Sequence, residues 1–252
     1  MYRGALMLNV TARQELMRTI VETLGVVVEE ARLDFGEDGL SVRVVDPSHV
    51  AMIKMDVDSA AFDTWELDDT KLGLEMRPLK EIMSQGQGTD MVELSYDDNT
   101  GQASIKIGRI DMNMRPLDNS TLNPPNLPNL DLPCGVTIAG AELAQAIRAS
   151  KLVGDLINMS LTESEFSVNV KGPNREVNAN FSKDELHAID CDSAARSQYS
   201  LTYLIPLAKV FQGIEHVNLR FGENFPLMIT FDFADGAGHV EYFLAPRVEG
   251  DI

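Results

Sequence analysis

Apolar and polar side chains alternate with a period of two along most of the chain, and that alternation predicts strands with one buried face. The clearest runs are Leu6/Leu8/Val10, Ile105/Ile107, Ile110/Met112/Met114, Val177/Ala179/Phe181, Leu227/Ile229/Phe231/Phe233 and Val240/Tyr242/Leu244. Turn chemistry separates such runs, as at Glu37-Asp38-Gly39, Asp97-Asp98-Asn99-Thr100-Gly101 and Asp235-Gly236-Ala237-Gly238. Four stretches break the alternation and read as short helices: 11–24, 77–85, 140–151 and 205–213. Pro78 and Pro206 fall where the second and fourth of these would begin, a position that needs no intrahelical donor.

The pattern is written twice. Leu33–Val44 lies over Met159–Val170 without gaps at an offset of 126, half the chain. Arg77–Ile82 lies over Ile205–Val210 at 128, and Val92–Tyr96 over Val217–Phe221 at 125, in the same order. Three ordered matches predict two like domains, each an antiparallel sheet carrying two short helices, an α+β fold. The stretch Asn123–Pro133 holds four prolines and cannot form a ladder, so it reads as an extended, semi-rigid linker. The expected organisation is an N-terminal domain over 1–117, a connector over 118–133 and a C-terminal domain over 134–252.

Charge changes the picture. Thirty-nine acids face twenty-one bases, a net of −18, and the bases are thirteen arginines and only eight lysines. An acidic surface repels phosphate, so nucleic-acid binding is not the first expectation. An acid-rich, lysine-poor chain suits concentrated salt, where the Debye length falls to about 3 Å near 1 M and self-repulsion is screened. A halophilic source is therefore expected. Within the four helical stretches, however, Arg13, Arg18, Arg77, Lys80, Arg148, Lys151 and Lys209 outnumber Glu15, Glu22, Glu81 and Glu142. The helices carry +3 while the remainder carries −21. A weakly basic face of this kind makes few phosphate contacts, so its grip on a duplex is low in affinity, salt-sensitive and indifferent to sequence.

No catalytic set emerges. The four histidines show no metal-ligand spacing, there is no nucleophile elbow or phosphate loop, and Gly86-Gln87-Gly88 lacks the third glycine of a dinucleotide site. Cys134 and Cys191 form no CxxC pair and are read as separate small thiols, without metal or disulfide. No apolar run approaches the ~20 residues of a membrane span. Met1-Tyr2-Arg3-Gly4 leads directly into alternating residues without a signal-peptide core, so a cytoplasmic location is expected. No catalytic residue, metal or cofactor is expected.

Asp46-Pro47-Ser48-His49-Val50-Ala51, the turn Glu223-Asn224-Phe225-Pro226-Leu227, and the end Tyr242-Phe243-Leu244-Ala245-Pro246-Arg247-Val248-Glu249, together with the doubled domain, resemble the proliferating cell nuclear antigen family of DNA sliding clamps in its archaeal form. The likeness covers essentially the whole chain. It implies a homotrimeric ring with helices lining the hole, threaded by double-stranded DNA at the nucleoid, and opened by a clamp loader. Polymerase, flap endonuclease and DNA ligase are the implied clients, held by a short peptide.

Carried onto this sequence, the resemblance makes the seven helical bases DNA-facing. It forms the peptide pocket from Val45, His49, Val50, Leu127, Pro128, Pro226, Leu244, Ala245 and Pro246. It also joins subunits through an edge bearing Arg109, Ile110, Asp111 and Met112 against one bearing Val177, Ala179 and Phe181. Gln145, Leu152 and Gly25 stand near places where the family suggests cations, and a layer of salt cations could substitute there. Two other readings compete. One is an acidic scaffold that binds peptides without threading DNA, and the other an enzyme whose site carries no known motif.

Overall fold

The computed structural model describes residues 6–191 and 193–247. The opening Met1–Gly4 and the terminal Val248 and Glu249 used above lie outside the described residues. The chain forms two compact units, one of residues 1–47, 53–126 and 234–239, the other of 48–52, 127–233 and 240–252.

The first unit contains β1 (Leu6–Arg13), α1 (Gln14–Leu24), β2 (Glu30–Gly36), β3 (Gly39–Val45), β4 (Ala51–Asp58), whose first two residues cluster with the second unit, β5 (Thr64–Leu67), β6 (Thr70–Glu75), α2 (Met76–Met83), β7 (Met91–Asp97), β8 (Gln102–Ile107) and β9 (Ile110–Met114). One sheet runs in the order β5-β1-β7-β8-β9 and leaves β9 as a free edge. A second runs β4-β3-β2-β6. All the pairings recorded for these strands are antiparallel. Helix α1 buries Leu16, Met17, Ile20, Val21 and Leu24 at spacings of three and four while Arg18 stays in solvent. Its first amides lack a side-chain cap and are met by loop carbonyls: Gln14 N–H donates to Asp90 O at 2.7 Å and Glu15 N–H to Gly88 O at 3.2 Å. The Gly86-Gln87-Gly88 loop is therefore a helix-capping turn.

The second unit repeats the plan with β10 (Cys134–Ile138), α3 (Gly140–Ser150), β11 (Leu156–Leu161), β12 (Glu165–Lys171), β13 (Glu176–Ser182), β14 (Ala188–Asp190), β15 (Ala195–Ser200), α4 (Leu201–Phe211), β16 (Val217–Phe221), β17 (Leu227–Phe233) and β18 (Gly238–Leu244), the last beginning on two residues of the first unit. Its sheets run β13-β12-β11-β15 and β14-β10-β16-β17-β18. The sequence repeat falls on equivalent elements: the β2–β3 hairpin over β11–β12, α2 over α4, and β7 over β16. Capping repeats as well, since Gly140 N–H opens α3 on Ile214 O at 3.1 Å, from the loop after α4.

That repeat exposes one asymmetry. Gln14 begins α1 with a buried side chain whose Nε2 donates to Met83 O at 2.5 Å. At the equivalent Gly140 a Cβ would sit 2.1 Å from Phe211 O and 2.5 Å from Ile214 O, both backbone atoms. Gly140→Ala is therefore expected to destabilise the second unit by about 3 kcal/mol, read as a lowered midpoint in denaturant titration. Gly39 is a different case: it closes the β2–β3 turn at φ +147°, a conformation that side chains rarely adopt.

Three expectations are corrected. Helix α4 starts at Leu201, so Pro206 lies inside it rather than at its first position. The apolar residues Leu201, Leu204, Leu207, Ala208 and Phe211 bury one stripe, which holds the helix although a backbone donor is missing. Arg13 is the last residue of β1, not a helical residue. Finally, Cys134 and Cys191 are joined in a disulfide with Cα atoms 4.3 Å apart. Fifty-seven residues separate them in sequence, but β10 and β14 pair with Gly135 opposite Asp190, which brings the flanking cysteines face to face.

Candidate functional site

The seven expected DNA-facing bases lie on the solvent side of the helices or at their ends; Lys80 is half-buried and the other six are exposed. Fewer positive charges are free than composition implied. Arg18 pairs with Glu22 at 2.7 Å, Arg77 with Glu81 at 3.0 Å, and Lys151 with Asp155, each four residues apart. Lys80 Nζ lies 3.5 Å from Gly25 O, filling the space beside that glycine. Arg148 donates to Gln212 Oε1 at 3.0 Å across α3 and α4. Among the described residues, Arg13 and Lys209 make no ion pair. With observed boundaries, the helices hold five bases and four acids, a net of +1 rather than +3. The helical surface is close to neutral, against a strongly acidic remainder.

The expected pocket residues fall on three segments of the second unit and one of the first. Val45 ends β3 in the first unit and is half-buried. His49 is exposed at φ 57°, in the turn before β4. Val50 is half-buried and its carbonyl accepts from Ala245 N–H at 2.9 Å, which brings Val50 against the C-terminal segment. Leu127 and Pro128 are exposed, whereas Pro226, Ala245 and Pro246 are half-buried. Leu244 has no exposed surface, so it forms part of the core beneath the segment rather than a contact face.

Sequence reasoning passed over Phe225, which is 50% exposed within the turn already singled out. This turn is built to hold it. Tyr199 Oη and Ser197 Oγ both donate to Phe225 O, at 2.8 and 3.2 Å, and Arg196 N–H donates to Glu223 Oε2 at 2.7 Å. Burial pushes the Tyr199 hydroxyl well above its usual pKa, so it stays a donor. Arg247 N–H donates to Gln198 O at 2.7 Å and ties the C-terminal segment to β15. An exposed phenylalanine in a proline-bearing turn was the available signal.

Both expected subunit edges are sheet edges. β9 ends its sheet with Ile110 and Asp111 exposed and Met112 half-buried, and Arg109 is exposed in the turn before it. β13 ends the other with Val177, Ala179 and Phe181 half-buried, and Phe181 stacks on Phe166 with centroids 5.9 Å apart. On the polar side of β13, side-chain hydrogen bonds from Asn169 and Asn178 hold the Glu176 carboxyl below the usual range. The order it lends to this edge is present above the ordinary carboxylate pKa and is lost as pH falls through the depressed value. Amide exchange along β13 is accordingly expected to rise only on strong acidification.

Among the described residues no group of three or more His, Cys, Asp or Glu is placed to hold a metal ion, and no helix is long and apolar enough to cross a membrane. The arrangement is one of surfaces: near-neutral helices in each unit, exposed and half-buried apolar residues on the second unit, and open sheet edges that include β9 and β13.

Duplicated units of antiparallel sheet with paired helices define the clamp class of fold. Residues 7–115 match the family model "Proliferating cell nuclear antigen, N-terminal domain" and residues 126–247 the corresponding C-terminal domain. The chain belongs to the proliferating cell nuclear antigen family.

Curated relatives include the DNA polymerase sliding clamp of Methanoregula boonei, 34% identical over 97% of this chain and 100% of that protein. The clamp of Methanosarcina acetivorans is 31% identical at the same coverage, and that of Halobacterium salinarum is 31% identical over 94% of this chain and 97% of its own length. Among solved structures, A. fulgidus PCNA bound to the C-terminal region of FEN-1 superposes with a TM-score of 0.90 at 29% identity, covering 97% and 100% of the two chains. The PCNA of Entamoeba histolytica shares the fold at a TM-score of 0.88 and 20% identity, over 97% of this chain and 100% of that one.

Proposed function

We propose that the chain is one subunit of a homotrimeric sliding clamp, which encircles double-stranded DNA and tethers polymerase, flap endonuclease and DNA ligase to it. The observation that carries this reading is the duplicated fold, two of whose open edges, β9 and β13, can satisfy each other head to tail. A heterologous contact of this kind closes into a ring when its rotation allows, and closure removes both exposed edges. Retention is then topological, which suits helices carrying a net of only +1. The domain limits are 1–117 and 134–252, with 118–133 as connector.

Clients dock by a peptide with aliphatic and aromatic anchors on His49, Val50, Leu127, Pro128, Pro226, Ala245 and Pro246, with Phe225 added. Ring opening requires a separate clamp loader. The chain is not itself an enzyme and works in the cytoplasm, at the nucleoid. The acid excess and the Halobacterium relative favour work in concentrated salt.

Two measurements test this. On primed circular DNA, the loaded protein is expected to lengthen the products of a cognate polymerase, and unchanged product length would count against the reading. Leu127→Asp is expected to weaken a flap-endonuclease C-terminal peptide by about tenfold or more, because it puts a charge into an apolar anchor site. Calorimetry showing equal affinity would remove Leu127 from the pocket.

A further inference from the structure

Three features meet at the head of β10. The disulfide joins Cys134, the residue that follows the connector, to Cys191, the residue that follows β14. β14 is a three-residue edge strand paired with β10 alone. Arg220 of β16 braces the same two segments: its Nε and Nη2 donate to Leu132 O at 3.2 and 2.9 Å, and its Nη1 lies 3.5 Å from Asp190 Oδ2. Both sulfurs also face one acceptor, Ser193 O, at 3.1 Å from Cys134 Sγ and 2.9 Å from Cys191 Sγ. Each thiol therefore has an acceptor within reach when the bond is open, so the local structure accommodates either redox state.

We propose that Cys134 and Cys191 form a thiol–disulfide exchange site, opened by a cellular dithiol, whose oxidised form locks β14 and the C-terminal root of the connector together. Disulfides that occur among cytosolic thiols are usually transient and redox-sensing rather than structural. Both residues are buried, and Cys191 is the more exposed of the two, at 7% against none for Cys134, so attack from solvent comes on its side. The reductant's thiolate attacks Cys191 Sγ, the S–S bond breaks, and Cys134 leaves as a thiolate that takes a proton from water. The reductant's second thiol then displaces Cys191. Two electrons and two protons pass to the protein, and the reductant departs as its own disulfide.

With the bond open, β14 keeps one short ladder and the Arg220 brace, so it opens locally at low cost. The connector root feels this through Pro133, whose ring approaches the Gly222 backbone: a Cβ built there would lie 3.2 Å from Pro133 Cδ and 3.4 Å from Phe225. Coupling to peptide docking rests on the clamp reading above.

The test uses the full-length protein equilibrated with oxidised and reduced dithiothreitol, its thiols counted by alkylation and mass. Reduction is expected to release two thiols and to speed amide exchange in β14 and at Leu132 by about tenfold or more, with α3 and β11 unchanged. The variant Cys134→Ser/Cys191→Ser should match the reduced form. A flap-endonuclease C-terminal peptide should bind the reduced form about threefold more weakly. Equal exchange of β14 in the two states would overturn the lock, and so would reduction that unfolds the whole second unit. Equal peptide affinity in both states would overturn the coupling to docking. Peptide binding to neither state would instead sink the clamp reading while leaving the exchange difference standing.

Discussion

Replacing Ile110 and Phe181 together with aspartate is expected to convert the assembled protein into monomers and abolish its retention on circular DNA. Ile110 is 45% exposed on the free edge β9, and Phe181 is half-buried on the free edge β13. Head-to-tail pairing would bury both. Placing a carboxylate at each costs desolvation without a partner, and a small edge-to-edge contact has little binding energy to absorb it. The fold of each unit should survive, since the Ile105, Ile107 and Phe166 core beneath is untouched. Sedimentation in concentrated salt gives the answer directly: one third of the wild-type mass is expected, and an unchanged trimer would remove these edges from the interface.

A second large effect is expected from Arg13→Glu/Arg148→Glu/Lys209→Glu. Of the seven bases, Arg13 and Lys209 have no ion pair among the described residues and Arg148 contacts only a neutral glutamine, whereas Arg18, Arg77 and Lys151 already face carboxylates. Counted together with Arg13, the helices carry +2 per subunit, and reversing the three makes that −4. Each phosphate contact contributes its own salt dependence, so losing several is expected to slow loading at low salt by about a hundredfold or more. In molar salt the deficit should shrink, because screening there shortens the range of repulsion to about 3 Å. Loading rates that match wild type at low salt would show that these helices do not face DNA. If instead a layer of cations bridges acid and phosphate, wild-type occupancy should hold as salt rises toward molar levels; a steady fall would exclude such bridging.

What could be read in advance follows from what is local. The strand alternation, the doubled pattern and the four helices are properties of neighbouring residues, and they reappear as β2–β3 over β11–β12 and α2 over α4. What depends on distant residues was not legible. The Cys134–Cys191 bond requires the antiparallel pairing of β10 with β14, which no spacing rule encodes. The boundaries of α4 were misjudged because Pro206 looked like a start signal, and the buried stripe from Leu201 outweighed it. Counting bases overstated the helical charge, since Arg13 ends β1 and Lys151 follows α3, which leaves five bases against the same four acids within the helices. Leu244, read as a pocket residue from the C-terminal motif, is wholly buried because alternation along β18 points it inward.

Retention after loading, compared between closed circular and linear duplexes of equal length in concentrated salt, tests the central claim most directly. Encirclement predicts that the protein stays on the circle through gel filtration and slides off the free ends of the linear molecule. Equal loss from both, or equal retention on both, would contradict it.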